Sequence, residues 1–297
     1  MKVIYCIIIC LITLSACKEK GNNKLTLQYN ESVNQSKQED EVVLALMPVI
    51  DCLPFYYANE RDFFTRENVK AKIITYNSQF DCDTALIGKS ADLAFCNLFR
   101  ATILQRKNKN IRIKYSTQGV WELLINKDLR IKGAKQLGYR TIATSRNSSE
   151  DYYVLSTKVP ADETLLPQIN NLYIRCTMLD KKQVDAAVLP EPFATQCRMK
   201  GHKALWKDSK LMLNFGCLLI TQSADKKKMD AIIKAYNMAV DSINNRKNTA
   251  ITIQHILHNV WNIDYIMIDS LKIPHYSHAK APKQKEISEV RKYYNKK

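Results

Sequence analysis

The sequence predicts an α/β fold, and two observations support this expectation. Short apolar or β-branched runs, such as 42–47 and 69–76, alternate with segments such as 55–64 whose apolar residues recur at helical spacing. Hydrophobic residues make up 46% of the 297 residues, which is enough for a sizeable core and for two lobes of ordinary domain size. This βαβαβ rhythm implies a parallel sheet with helices on both of its faces.

The first predicted unit alternates between strands and helices. The run at 42–47 is continuously apolar, which is typical of a buried strand, whereas 69–76 alternates between apolar and polar residues. Gly88 follows an apolar helical pattern and is a favourable helix stop. We expect strands at 42–47, 69–76, 93–96 and 111–116, and helices at 55–64, 81–88 and 100–107.

The second predicted unit repeats this alternation and ends in helices. Ser and Asn precede Glu150 in the segment 145–150, which is the pattern of a helix N-terminus. The segment 225–244 carries an apolar stripe with a helical period. We expect strands at 122–126, 141–144, 186–189 and 215–221, and helices at 150–158, 172–182, 225–244, 255–260 and 285–294.

The start of the chain has the form of a lipoprotein export signal. Lys2 precedes an almost wholly apolar run at 3–14, and Leu14-Ser15-Ala16-Cys17 ends it. The run is too short for a lasting membrane span. We therefore expect a signal peptide and lipobox at 1–17, with lipidation at Cys17, and a flexible polar linker at 18–41. An ordinary secreted protein, in which Cys17 is incidental, is the alternative.

The charge of the chain limits its partners. The formal net charge is +16, which in a cytosolic protein would suggest nucleic acid. The export signal argues against nucleic acid, and the chain has no zinc-finger spacing and no basic helix with interleaved aromatic residues. Two interpretations stay open: a basic surface beside anionic lipid, or long-range attraction of an anionic ligand.

Six of the nine cysteines lie beyond the export signal and Cys17, namely Cys52, Cys82, Cys96, Cys176, Cys197 and Cys217. None belongs to a C-x-x-C pair, so the usual zinc and thioredoxin patterns are absent. Cys52, Cys82 and Cys96 follow or end different predicted strands of the first sheet, at the same edge. A Cys52–Cys82 disulfide is our first expectation, while a soft-metal or thiol-reactive site and unpaired buried thiols stay open.

Several segments occur in a distinctive order. Pro54-Phe55-Tyr56-Tyr57-Ala58 precedes Phe63-Phe64, residues 85–93 read ALIGKSADL, residues 184–195 read VDAAVLPEPFAT, and Ile273-Pro274-His275-Tyr276 lies near the end. Together they resemble the substrate-binding proteins of ABC importers, in the nitrate/sulfonate/taurine and thiamine-pyrimidine group of type 2 periplasmic binding proteins. The resemblance covers nearly all of the chain from residue 41 onward.

The resemblance implies a two-lobed type 2 periplasmic-binding-protein fold with a ligand cleft and a two-strand hinge. Lobe 1 would comprise 42–120 plus 215–297, and lobe 2 would comprise 121–214. The implied function is an extracytoplasmic solute-binding lipoprotein, not an enzyme, on the periplasmic face of a bacterial membrane. It would be a monomer that closes on a small organic ligand, sulfonate-like or pyrimidine-like, and delivers it to an ABC permease with its ATPase. We expect no cofactor and no metal.

Loops at the carboxyl ends of the strands supply the candidate ligand-binding residues, because ligands of open α/β sheets bind there. The loop 145–149 precedes a helix and suits an anionic or carbonyl group, with plain N-capping as the alternative. Asn97 could bind a ligand or cap the helix that follows it. Trp121 could stack on a flat ligand or pack in the core. Glu191 could bind an amine or pair with a basic side chain across the cleft. The candidates are Asp51, Asn97, Trp121, Ser145, Asn147, Ser148, Ser149 and Glu191.

Two other functions remain open at this stage. An enzyme on the same scaffold would need catalytic groups in the cleft, but the five histidines lie outside the predicted cleft loops. A sensor or scaffold lipoprotein could bind a ligand in the same cleft without feeding a transporter.

Overall fold

The computed structural model describes residues 40–157, 159–160, 163–207, 214–247 and 249–295. The predicted signal peptide, the lipidation site at Cys17 and nearly all of the predicted linker lie outside these residues. Within them, two mixed β-sheets are flanked by helices, so the α/β class is confirmed. No helix in the described ranges is long and apolar enough to cross a membrane.

The first sheet has the strand order β2-β1-β3-β9-β4. Strand β1 is buried along nearly its whole length, as its continuous apolar run predicts, whereas β2 at the edge carries exposed lysine. The strands are β1 (Glu41–Leu46), β2 (Lys70–Thr75), β3 (Leu93–Asn97), β4 (Ile111–Ser116) and β9 (Gly216–Thr221).

The second sheet has the strand order β6-β7-β5-β8. Its strands are β5 (Trp121–Ile125), β6 (Ile142–Ala143), β7 (Ala186–Pro190) and β8 (Lys203–Lys207). Strand β8 has no counterpart among the sequence predictions. The strands of this sheet come from 121–207, and those of the first sheet come from 41–116 and 216–221. The lobe boundaries drawn from the sequence stay a prediction.

The expectation of a parallel sheet was only partly right. Strands β2, β1 and β3 are parallel, and so are β6 and β7. Strand β9 runs antiparallel to both β3 and β4, and β5 runs antiparallel to β7 and β8. The reason is the chain path: β9 enters the first sheet from the second, so its direction is not set by a βαβ crossover.

Most of the expected helices are present, with two corrections, and the helices at 193–199, 250–255 and 265–268 were not predicted from the sequence. The single helix expected at 55–64 is two helices, separated by Asp62 in the left-handed region, with φ 54°. The helix expected at 255–260 is a π-helical turn, Ile256–Val260, that continues another helix. The helices are α1 (Leu53–Glu60), α2 (Phe63–Arg66), α3 (Gln79–Ile87), α4 (Leu98–Lys107), α5 (Ser149–Ser156), α6 (Leu172–Asp180), α7 (Phe193–Met199), α8 (Lys226–Asn245), α9 (Ala250–His255), α10 (Tyr265–Ile268) and α11 (Gln284–Asn295), with short 3-10 turns at Ile50–Cys52 and Ala134–Leu137.

Two chain segments connect the two sheets, and these segments lie next to each other. Residues 117–120 lead from β4 to β5, and Asn214 and Phe215 lead into β9. The Thr117 N–H donates to the Gly216 carbonyl at 3.0 Å, and the Asn214 side chain donates to the Thr117 carbonyl. These two segments are the hinge segments of the molecule.

Asp51 fills the space against both hinge segments. Its Oδ1 accepts from the Thr117 hydroxyl at 2.9 Å, and its side chain is 1% exposed. A Cβ atom on Gly119 or on Gly216 would overlap the Asp51 carboxylate. Glycine is therefore required at both positions for close approach, because any larger residue would displace the carboxylate.

We predict that Gly216→Ala destabilises the protein by about 1–3 kcal/mol, the usual cost of an added methyl group in a packed interior. Gly133→Ala is the matched control, because a Cβ there meets nothing within 4 Å. Urea unfolding of both variants measures the difference. Equal stability of the two variants would contradict the proposed contact between Asp51 and the hinge.

Candidate functional site

The loops at the carboxyl ends of the strands meet between the two sheets. The Ile50 N–H, after β1, donates to the Glu191 carbonyl, after β7, at 3.0 Å. The Leu172 N–H, at the start of α6, donates to the Asn77 carbonyl, after β2, at 3.1 Å. Loops of the first sheet therefore contact loops and helices of the second directly, and this region is the candidate cleft.

An aromatic cluster spans the cleft. Tyr152 of α5 lies 5.0 Å from Phe99 of α4 and 5.2 Å from Phe215 of the hinge, measured between ring centroids. The Tyr152 hydroxyl also donates to Glu289 of α11 at 3.2 Å. Phe99 and Tyr152 lie in the first turns of their helices, so the first turns of α4 and α5 lie close together at the candidate cleft.

Asn97 and Ser148 cap these two helices. Asn97 Oδ1 accepts from the Arg100 N–H at 3.1 Å, and Ser148 Oγ accepts from the Glu150 N–H at 3.1 Å. Both residues thus have the capping role that the sequence left open as an alternative. The Asn97 side-chain nitrogen finds no hydrogen-bond acceptor within the described part of the chain, so it is available to a ligand.

The loop before α5 binds its own acidic side chains. Glu150 Oε2 accepts from the Ser145 N–H at 2.6 Å, and Asp151 Oδ2 accepts from the Asn147 N–H at 2.8 Å. Asn147 adopts a left-handed conformation with φ 55°, which asparagine tolerates better than most residues. Two amides of the loop are therefore already occupied, whereas the Ser149 hydroxyl has no partner among the residues that the structure describes.

Arg175 lies beneath the same loop and is fully buried. Its guanidinium donates to Glu150 Oε2, Ser145 Oγ and the Val188 carbonyl, each at 2.6 Å, and to the Ile169 carbonyl at 2.8 Å. Burial raises the pKa of Glu150, and the arginine charge opposes that shift. The Ser145 hydroxyl is thus engaged by Arg175, and Arg175 holds the loop in place.

Two other arginines of the region are also paired. Arg100 forms an ion pair with Asp83, whose pKa is raised by burial in spite of that charge. Arg198 lies 2.9 Å from Glu191 and 2.5 Å from Glu122. The Glu191 carboxylate is therefore engaged by Arg198 of the following helix, α7.

Trp121 is partly exposed at the start of β5. It pairs with Pro190 in the sheet, directly before Glu191, and packs against both apolar cores. Its position next to the cleft agrees with both the stacking and the core interpretation. The ligand-binding role of all eight candidates stays a prediction.

The expected Cys52–Cys82 disulfide is absent from the structure. Both residues are free, buried thiols, and burial raises the pKa of each. Cys52 precedes α1 and Cys82 lies in the first turn of α3, so the common sheet edge brings them near each other without joining them. No group of three or more His, Cys, Asp or Glu side chains within the described ranges is arranged to hold a metal ion.

Sequence reasoning missed Arg175, Thr117 and Tyr152. Arg175 lies on the buried stripe of α6 with Leu172, Cys176 and Leu179, at the spacing of a core position. A charged residue on an otherwise apolar stripe indicates a buried ion pair, so this role of Arg175 could have been predicted from the sequence. Thr117 and Tyr152 gave no local signal, because their roles depend on contacts with residues distant in the sequence.

We predict that Asp51→Asn changes how stability depends on pH. Burial raises the Asp51 pKa from 3.8 to about 6, so its contribution to stability is present below about pH 4 and is lost as pH rises through 6. Wild type should lose about 3 kcal/mol relative to Asp51→Asn between pH 4 and pH 7.5. Thermal unfolding across this range is the measurement, and exposed Asp269→Asn is the control. A constant difference between wild type and Asp51→Asn would contradict the raised pKa.

Comparisons with known proteins were made by sequence and by structure. No protein-family model and no curated protein sequence matches this chain. The alkanesulfonate-binding protein SsuA from Xanthomonas axonopodis pv. citri, bound to MOPS, superposes with a TM-score of 0.73 and 13% identity, over 88% of this chain and 93% of that one. The periplasmic nitrate-binding protein NrtA from Synechocystis gives a TM-score of 0.68 and 12% identity, over 85% and 76%.

The description of a third similar structure names its fold. A Candida albicans protein described as having the generic periplasmic binding protein fold gives a TM-score of 0.60 and 13% identity, over 77% of this chain and 79% of that one. Sulfonate- and nitrate-binding proteins are thus among the structural neighbours, as the sequence resemblance implied. The chain has the periplasmic-binding-protein fold.

Proposed function

We propose that this chain is an extracytoplasmic solute-binding lipoprotein that delivers a small organic ligand to an ABC importer by closure of its cleft. The observation that carries the proposal is the meeting of two capped helix N-termini, those of α4 and α5, between the sheets. Helix N-termini present free backbone N–H groups and a partial positive charge, which together attract an anionic or carbonyl-bearing group.

The surroundings of these helix ends favour an organic ligand over an inorganic ion. Neutral donors, the Asn97 amide and the Ser149 hydroxyl, are available beside the helix ends, while Arg100 and Arg175 are already paired with carboxylates. The partly exposed ring of Tyr152, packed on the buried ring of Phe99, supplies an apolar surface next to them. A sulfonate with an organic tail uses both features, and a pyrimidine is the second candidate.

We predict that Asn97→Asp weakens the binding of an alkanesulfonate at least tenfold. Aspartate keeps the helix cap, because its oxygen accepts the same hydrogen bond, but it removes the donor and adds a negative charge. Titration calorimetry on protein lacking residues 1–17 measures the affinity, after a thermal-shift screen with sulfonates, pyrimidines and nitrate. Asn108→Asp, at the other end of α4, is the control and should bind like wild type.

Two results would contradict this assignment. Equal sulfonate affinity of Asn97→Asp and wild type would remove the helix N-termini from the binding site. Solution scattering that shows unchanged dimensions with and without a bound ligand would contradict cleft closure.

We predict that Cys17→Ser abolishes membrane attachment, because the thiol of that residue is the proposed site of lipidation. In bacteria fed labelled palmitate, wild type should carry label in the membrane fraction, and Cys17→Ser should carry none. Cys10→Ser, within the apolar run, is the matched control and should still be labelled. Label on the Cys17→Ser variant would show that lipid is attached elsewhere or that the signal is of another kind.

A further inference from the structure

The last helix, α11, packs one of its faces against the rest of the molecule. The residues of this face recur at helical spacing and are all buried or partly buried: Glu286, Glu289, Val290, Tyr293 and Tyr294. Glutamate is seldom buried without a partner, so the two glutamates indicate that this face makes specific polar contacts. The contacts of the face reach three different parts of the molecule.

Two of these parts are α4, beside the first sheet, and a hinge segment. The Tyr293 and Phe99 rings lie 5.1 Å apart between centroids, and the Tyr294 hydroxyl donates to the Phe99 carbonyl at 3.1 Å. At the hinge, Glu286 Oε1 accepts from the Asn214 N–H at 3.2 Å. The helix is therefore fixed to α4 and to the segment that leads into β9.

The third part is α5, beside the second sheet. Glu289 Oε2 accepts from the Tyr152 hydroxyl at 3.2 Å, and the Tyr152 and Tyr293 rings lie 6.0 Å apart between centroids. Lys292 Nζ lies 2.7 Å from Glu289 Oε1, and this hydrogen bond from a cation holds the pKa of Glu289 below its ordinary value. The acceptor is thus a charged carboxylate at neutral pH, which makes its hydrogen bond stronger than a neutral one.

The chain that leads to α11 is bound to the other hinge segment. The Ser277 N–H donates to the Gln118 side chain, and the Ser116 N–H, at the end of β4, donates to the Lys280 carbonyl at 2.8 Å. Residues 277–295 therefore contact both hinge segments, together with a helix from each side of the cleft.

We propose that residues 277–295 form a strap that holds the cleft closed, with Glu289 as a positioning residue that keeps Tyr152 against Phe99. In an opening rotation at the hinge, α5 moves with the second sheet, while α11 stays with α4. The bond between Glu289 and Tyr152 then breaks, so its free energy favours the closed arrangement. This inference rests on the cleft closure of the proposed function and adds the element that regulates it.

Two backbone hydrogen bonds at other points of the cleft report closure. The Ile50 N–H donates to the Glu191 carbonyl, and the Leu172 N–H donates to the Asn77 carbonyl. Both bonds join the two sides of the cleft, and neither involves α11. Their hydrogen exchange therefore measures how often the cleft opens in the protein without ligand.

We predict that Glu289→Ala, which removes the acceptor, speeds the exchange of both amides about threefold or more. Tyr152→Phe, which removes the hydroxyl and keeps the ring, should have the same effect. The double variant should match either single variant, because both substitutions remove one and the same hydrogen bond. Hydrogen–deuterium exchange followed by mass spectrometry, on protein lacking residues 1–17 and without ligand, is the measurement.

Arg291→Ala is the matched control, because Arg291 is exposed on the opposite side of α11. This variant should exchange like wild type at both amides. Faster exchange that is confined to α11, or unchanged exchange of both amides in Glu289→Ala and Tyr152→Phe, would overturn the strap.

The failure of this inference is distinguishable from the failure of the proposed function. The exchange experiment contains no ligand, so its result does not depend on what the protein binds. If the amides respond as expected but no sulfonate, pyrimidine or nitrate binds, the strap is supported and the proposed ligand class is contradicted. If a sulfonate binds but the amides do not respond, the ligand class is supported and the strap is overturned.

Discussion

The contact between Asp51 and the two hinge segments is the constraint on which the rest of the molecule depends. Its carboxylate lies against Gly119 and Gly216 and accepts from Thr117, so one side chain fixes both connections between the sheets. Asp51 Oδ2 has no hydrogen-bond partner among the described residues. A buried carboxyl that is only half satisfied favours its neutral form, which is the cause of its raised pKa.

The turn that carries Asp51 also joins three other parts of the chain. The Ile50 N–H donates to Glu191 of the second sheet, and the Ile50 carbonyl accepts from the Tyr276 hydroxyl at 2.8 Å. The C-terminal residues bond to a hinge segment as well, since the Ser277 N–H donates to the Gln118 side chain. The hinge is therefore held by the first sheet, the second sheet and the C-terminal segment together, and a rotation at the hinge must change contacts with each.

Charge acts differently at long range and at the candidate site. The net charge of +16 attracts anions toward the molecule as a whole. At the cleft, however, Arg100, Arg175 and Arg198 are paired with carboxylates, so the groups left for a ligand are neutral donors and helix N-termini. If the proposed function holds, such a site would bind an anion without a buried counter-charge, and release would require no buried ion pair to be broken.

Local patterns in the sequence predicted most of the strands, the cap before α5 and the class of fold, because these depend on residues within a few positions of each other. The antiparallel entry of β9 could not be predicted, since its partners β3 and β4 lie more than a hundred residues earlier. The expected Cys52–Cys82 bond is not formed in the structure, in which all six described cysteines are free thiols: a common sheet edge brings cysteines near one another but does not decide which ones touch.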